Sequence, residues 1–225
     1  MNLKNKVAVI TGGAQGIGNE LAILLTAAGC AVFIFDKALP ANPLKGVKYF
    51  LADVTSEQQI NNSFKKIISK IDILVNNAGV MRRGTLFDTS EADYDFVMDI
   101  NLKGNWLVTK CARNFLSKKP VVLFMSSRHG MNVKPNPAIY CLSKHAVWGL
   151  AKMLKATCPE YMVKVAYPGS VDTALTWVGV KSGDVAAKKK TVVGPDYMAA
   201  KLLELIKGDR EKLVFSEKTK RYTFA

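Results

Sequence analysis

The stretch Thr11-Gly12-Gly13-Ala14-Gln15-Gly16-Ile17-Gly18 follows directly on the apolar run Val7-Ala8-Val9-Ile10 and leads into Asn19-Glu20-Leu21-Ala22-Ile23-Leu24-Leu25. A buried strand, a glycine-rich turn and a helix in direct succession aim backbone N–H groups and a helix N-terminus at one spot, which favours an anion. Glycines let the chain turn sharply and let a pyrophosphate approach the backbone. The spacing over Gly12, Gly16 and Gly18 is G-x-x-x-G-x-G, not G-x-G-x-x-G, and such a turn can also serve only to pack a helix on a strand.

The alternation continues along the chain. Apolar runs at 6–11, 31–35, 47–51, 72–75, 121–125, 163–166 and 212–215 read as strands. Helical spacing covers 19–28, 57–69, about 91–116, 140–158 and 196–206. Continuous apolar strands separated by helices predict a parallel sheet covered on both faces, a doubly wound, Rossmann-type α/β fold. A chain of 225 residues suits one domain over 1–225, with a short substrate-loop region at about 174–195.

Composition narrows the class. Nearly half the residues are hydrophobic, the expectation for a soluble globular chain. The longest uncharged apolar stretch, 21–35, is too short to span a bilayer, and the opening residues lack the apolar core of a signal peptide. Cys30, Cys111, Cys141 and Cys158 lie far apart, which suits reduced thiols and a cytoplasmic location. With His129 and His145 as the only histidines, no metal site is expected. The net charge of +14 is spread along the chain, densest at Lys188-Lys189-Lys190 and at 218–221. No nucleic-acid motif accompanies it, so a solvated basic surface is expected rather than a specific nucleic-acid partner.

Asp36 ends the second predicted strand, 18 residues beyond Gly18. A carboxylate there can accept hydrogen bonds from both adenosine ribose hydroxyls and would repel a 2′-phosphate. Gln15 brings no cation into the loop, although Lys37 partly offsets Asp36; the balance favours NAD over NADP.

Further motifs follow in order: Asn76-Asn77-Ala78-Gly79 after the fourth strand, and Tyr140-Cys141-Leu142-Ser143-Lys144 at a helix start. With these the sequence resembles the short-chain dehydrogenase/reductase family in its compact form, over about residues 5–174 and more loosely beyond. Thr11 to Gly18 matches the family's TGxxxGxG. Asp53-Val54 matches its adenine-contacting pair, Asn101 its helix asparagine, and Pro168-Gly169-Ser170-Val171-Asp172-Thr173 its PGxVxT segment beside the nicotinamide. Ser127 stands 13 residues before Tyr140, as the family's catalytic serine does, with Ser126 as the alternative. The cofactor contacts implied are Gly12, Gln15, Gly16, Ile17, Gly18, Asp36, Asp53, Val54, Asn77, Ala78, Gly79, Tyr140, Lys144, Pro168, Gly169, Val171 and Thr173.

Tyr140 and Lys144, four apart on one helix, project from the same face. A nearby ammonium, together with the positive nicotinamide of NAD⁺, favours the phenolate, so Lys144 and the cofactor are expected to lower the Tyr140 pKa and fit the phenol for general acid/base work. By resemblance, Lys144 also holds the nicotinamide ribose, Ser127 binds the substrate oxygen, and Asn101 holds a water in a proton relay. The reaction implied is hydride transfer between a nicotinamide cofactor and a secondary alcohol or ketone, in a homodimer or homotetramer built on the helices around Asn101 and 140–158. A non-catalytic dinucleotide-binding regulator of the same fold is the alternative, and an intact serine, tyrosine and lysine set argues against it.

Some features resist assignment. Arg82 and Arg83 follow Asn76–Gly79 toward the expected cleft mouth, where they would favour an anionic substrate, although solvated loop charges are the plainer reading. Tyr197 and Lys201 repeat the YxxxK spacing at a helix N-terminal turn, without the preceding serine. Residues 174–195 leave room for only a small lid, the tail lacks the family's Gly-Gly ending, and Lys164 replaces the Asn of many relatives. The substrate lining is expected from the segments after Ser127 and Thr173.

Overall fold

Every side chain of β1 (Val7–Thr11) is buried, as a strand covered on both faces must be. In the computed structural model, which describes residues 1–216, 219 and 221–225, β1 lies within an eight-stranded sheet. Parallel pairing runs one way through β2 (Ala31–Asp36) to β3 (Val47–Leu51). The other way it runs through β4 (Ile71–Asn76), β5 (Leu116–Met125), β6 (Met162–Tyr167) and β7 (Lys212–Ser216). The connection order reverses between β1 and β4, and a crevice opens beyond the carboxyl ends of strands at such a reversal.

The helices are α1 (Gly16–Ala27), α2 (Glu57–Lys65), α3 (Glu91–Met98), α4 (Asn105–Ala112), α5 (Ala138–Thr157), α6 (Ala174–Trp177), α7 (Val185–Lys189) and α8 (Pro195–Lys207). Leu21 and Leu25 of α1 meet Met198 and Leu202 of α8 in the core on one sheet face. Phe64 of α2, Val108 of α4 and Val147 of α5 build the core on the other.

Three sequence expectations need correction. The helix read over 57–69 stops at Lys65, although Ser56 caps its start by accepting from Gln59 N. The helix read over 91–116 is three pieces: α3, a wide π-helical turn at Asp99–Gly104, and α4. A helix admits one residue too many only where a side chain re-satisfies the freed backbone, and here Asn105 Nδ2 donates to Asn101 O at 2.6 Å. Leu116 then belongs to β5, whose register with β4 shifts between Ile71 and Ile73, close to where Pro120 interrupts the pairing. Finally, β8 (Arg221–Phe224) adds an antiparallel edge to β7 that the sequence reading did not foresee. Tyr222 anchors it, its ring 5.1 Å from that of Phe215. Lys218 and Lys220 of the basic tail lie outside the described residues.

Lys164, the departure from the family pattern on β6, is buried and donates to the carbonyls of Gly208 and Arg210 at 2.8 and 2.7 Å. It holds the loop that leaves α8, where orphan carbonyls and the helix dipole favour a cation. Burial lowers its pKa. A Lys164→Met chain strands both carbonyls and is expected to lose roughly 1–3 kcal/mol of unfolding free energy in urea titration.

Candidate active site

Gly12 and Gly16 adopt φ of +64° and +59°, a left-handed backbone that non-glycine side chains resist. A Cβ on Gly12 would lie 2.8 Å from Ala78 Cα, so the loop is seated against the segment after β4. Thr11 makes that seat: its Oγ1 accepts from the backbone N–H of Asn77 and of Ala78, both at 3.1 Å. Asn77 Nδ2 donates to the carbonyls of Thr11 and Gly12 at 3.0 and 2.8 Å. A Cβ on Gly18 would meet Asn77 Nδ2 and Gly12 O at 2.7 Å, so this glycine serves close helix packing.

A cleft of about 830 Å³ opens above the loop, at the strand-order reversal. Of the sequence-predicted residues, Gly12, Gln15, Gly16, Ile17, Asp36, Asp53, Val54, Asn77, Ala78 and Gly79 line one part of it. Ser127, Tyr140, Lys144, Pro168, Gly169, Val171 and Thr173 line the remainder. Gly18 and Asn101 stand behind the wall. Tyr197 and Lys201 lie apart from it on α8, where Lys201 pairs with Glu204 at 2.8 Å.

Asp36 is already engaged locally, its carboxylate accepting from Ala14 N at 2.9 Å and from Ala38 N at 3.2 Å. It therefore ties the end of β2 to the glycine loop. The Asp53 carboxylate turns onto Thr55, accepting from its N and Oγ1 at 2.8 and 2.7 Å. Val54 receives the close approach of Gly104, whose Cβ would lie 2.8 Å from Val54 Cγ2.

The two serines separate cleanly. Ser126 Oγ donates to the backbone carbonyl of Lys144 at 2.8 Å and holds α5. Ser127 Oγ accepts from His129 N at 3.2 Å and faces the Tyr140 phenol. The His129 ring stands edge-on to that of Tyr140, 5.7 Å between centroids.

The protein's own groups push the Tyr140 phenol up to about 12: burial raises it, and the neighbouring Ser127 hydroxyl opposes this only in part. Lys144 is itself buried, which lowers its pKa to about 8, and its Nζ donates to Met125 O at 2.8 Å. Nζ stands 5.6 Å from the Tyr140 ring centroid, so the ammonium does face the phenol. Desolvation of an ionised phenol outweighs it.

Asn101 sits at the wide turn with its side chain fully buried. Its Oδ1 accepts from Val80 N at 2.8 Å, while Nδ2 donates to Val80 O and to Ser143 Oγ, both at 2.9 Å. Ser143 in turn donates to Tyr140 O at 2.8 Å. The sequence reading missed Ser143 as a positioning residue, although its spacing three beyond Tyr140 on α5 was a usable signal. It also missed Tyr222, whose hydroxyl accepts from Gly169 N at 3.3 Å and steadies the Pro168-Gly169 segment. No local pattern marks a residue that late in the chain.

The two arginines after Gly79 divide. Arg82 lines the cleft but is paired with Asp93 at 3.1 Å and lies 4.2 Å over the Phe96 ring. Arg83 donates from Nε to Val178 O at 2.7 Å and so pins the segment after α6.

Residues 6–182 match the family model described as short chain dehydrogenase. Oxidoreductase UcpA of Salmonella typhimurium is 36% identical over 189 residues, covering 77% of this chain and 72% of the relative. Dehydrogenase/reductase SDR family member 6 of Aquarana catesbeiana is 34% identical over 180 residues, covering 76% and 73%. The ligand-free aldohexose dehydrogenase of Thermoplasma acidophilum superposes with a TM-score of 0.81 at 26% identity, over 91% of this chain and 88% of that one.

Proposed function

Because this chain belongs to the short-chain dehydrogenase/reductase family of oxidoreductases, we propose that it transfers a hydride between a nicotinamide dinucleotide and a secondary alcohol or ketone. The observation that carries the reading is the meeting of the Ser127 and Tyr140 hydroxyls with Lys144 in one cleft with the Gly12–Gly16 loop and Asp36.

The cleft fits such a cofactor. Its volume is in the range of a dinucleotide site. Gly16 leaves open a cradle whose Cβ would reach Thr173 Cγ2 at 3.2 Å, with the N-terminus of α1 behind it. The Asp36 carboxylate, with Gln15 in place of a cation, favours NAD over NADP. When bound, the nicotinamide supplies the two-electron hydride acceptor or donor.

The chain's own residues handle the proton. In oxidation, the Tyr140 oxygen takes the proton from the substrate hydroxyl as the carbinol hydrogen departs with its electron pair; in reduction it returns a proton to the carbonyl oxygen. Ser127 donates to that same oxygen and stabilises charge developing there. Lys144 has two N–H donors beyond the one given to Met125 O, enough to hold ribose hydroxyls. A Cβ on Gly79 would lie 3.3 Å from Lys144 Nζ and 3.4 Å from Asn101 Oδ1. The absence of that Cβ leaves a point where both atoms converge, which supports a relay water between them. The short segment 174–195, with α6 and α7, would cover the substrate.

The test is a panel of ketones and secondary alcohols with each nicotinamide cofactor, followed by cofactor absorbance. No turnover and no cofactor binding by a folded sample would overturn the reading.

We further propose a homodimer or homotetramer of a cytoplasmic protein. Among the described residues no helix is long and apolar enough to cross a membrane. Trp106 on α4 and Leu142, Trp148 and Met153 on α5 are exposed, with Lys110 and Lys152 stacked over the two indoles. Exposed apolar side chains of this size on two helices support an association face there. A Trp106→Glu/Trp148→Glu chain is expected to run as a monomer in light-scattering chromatography where the parent runs as an oligomer.

A further inference from the structure

A second cavity, of about 180 Å³, lies against the reacting groups. Ser127 and Tyr140 line both it and the larger cleft, together with Met81, Pro168, Leu175 and Thr176, so the two spaces adjoin at the reacting groups. A molecule whose oxygen sits between Ser127 and Tyr140 has this cavity open to the rest of its skeleton. Arg83 and Lys188 line it beside Arg128, and among the described residues its lining contains no Asp or Glu.

Among the described residues no carboxylate pairs with Arg83 or Lys188, in contrast to Arg82 with its Asp93 partner. The Lys188 amine is half-buried, donates to Thr176 O and lies 5.8 Å over the Trp177 ring. Burial lowers its pKa, and the neighbouring Arg83 adds to this. Each of the two carries further N–H donors beyond its one carbonyl acceptor. A small space walled by one sign of charge concentrates counter-ions of the other.

We propose that the substrate carries an anionic group, a carboxylate or a phosphate, which enters this cavity and is held by Lys188 and Arg83 while its alcohol or carbonyl carbon reacts at Ser127 and Tyr140. The inference rests on the oxidoreductase reading above and adds the substrate class to it. The volume equals about six waters at their liquid density, which suits a charged group on a short tail. Because Lys188 and Arg83 also grip the carbonyls of Thr176 and Val178, the anion they bind links the lid to the floor of the site.

The experiment compares matched pairs: short hydroxy or keto acids against their methyl esters, and phosphate monoesters of hydroxy ketones against the unphosphorylated parents. Each is assayed with the parent chain, Lys188→Gln, Lys188→Arg and Arg83→Gln. The parent is expected to favour the charged member of at least one pair tenfold or more in kcat/KM, chiefly through KM. Lys188→Gln is expected to bring the ratio toward one, and Lys188→Arg to restore it. The pair that shows the preference distinguishes carboxylate from phosphate. A second arm titrates malonate and inorganic phosphate, by calorimetry at constant ionic strength, into protein already saturated with NAD so that the glycine loop is filled. Binding lost in Lys188→Gln supports the proposal. Turnover without preference for any charged member, or anion binding indifferent to Lys188, overturns it and leaves the oxidoreductase reading standing. Failure of the NAD saturation itself strikes the earlier reading instead.

Discussion

A Tyr140→Phe chain is expected to keep its fold and its dinucleotide and to lose turnover by roughly 10²–10⁴-fold, the contribution of one well-placed proton-transfer group. The ring remains to fill its buried place in the wall, and only the hydroxyl that meets Ser127 is removed. The loss should appear in kcat and kcat/KM alike, because the deleted interaction matters as the proton moves. The pH profile gives an independent signature. In the direction of oxidation the phenol must first be ionised, and burial holds it at about 12. The rate of oxidation should therefore rise with pH through the neutral and alkaline range until an apparent pKa set by Tyr140, Lys144 and the bound cofactor together. In the direction of reduction the neutral phenol is the donor, so the rate should stay level and then fall through that same value. Both limbs should vanish in Tyr140→Phe. Full turnover by this variant would remove the phenol from the chemistry.

An Asp36→Ala chain is expected to lose NAD preference by about 100-fold in the ratio of kcat/KM for NAD to that for NADP. Two hydrogen bonds from ribose hydroxyls to a charged acceptor contribute about 1.5–3 kcal/mol each where both are well formed. Local competition reduces the gain, because the carboxylate already accepts from Ala14 and Ala38. Removing the charge also removes the repulsion that a 2′-phosphate would meet, while Lys37 remains beside it. The ratio should thus move from both sides. Paired assays with the two cofactors read it directly, and an unchanged ratio would defeat the assignment of Asp36 as the group that selects between them.

Different parts of the molecule were legible to different degrees. Strands such as 6–11 and helices such as 140–158 could be placed within a residue or two, since burial on both faces leaves a continuous apolar run and burial of one helix face leaves a period. The stretch 91–116 could not be read correctly. Its composition is helical throughout, and the break at Asp99–Gly104 exists because Asn101 bonds to Val80 and Ser143, residues distant in the chain. The edge strand β8 escaped for a similar reason: four residues with a weak alternation become a strand only when β7 offers them an edge.

Residue types and spacing determined the alternation of strands and helices, the glycine turn after β1 and the placing of Tyr140 and Lys144 on one helix face, because a local period, a glycine-rich turn and a four-residue offset on a helix are properties of neighbouring residues. Ser127 was marked by the family resemblance. Tertiary structure alone decided which serine faces the phenol, which way the Tyr140 pKa moves and which cations share a cavity. Those outcomes depend on desolvation and on side chains from separate segments arriving at one point, as Arg83, Arg128 and Lys188 do beside Tyr140. Neither effect has a signature within any one stretch of the chain.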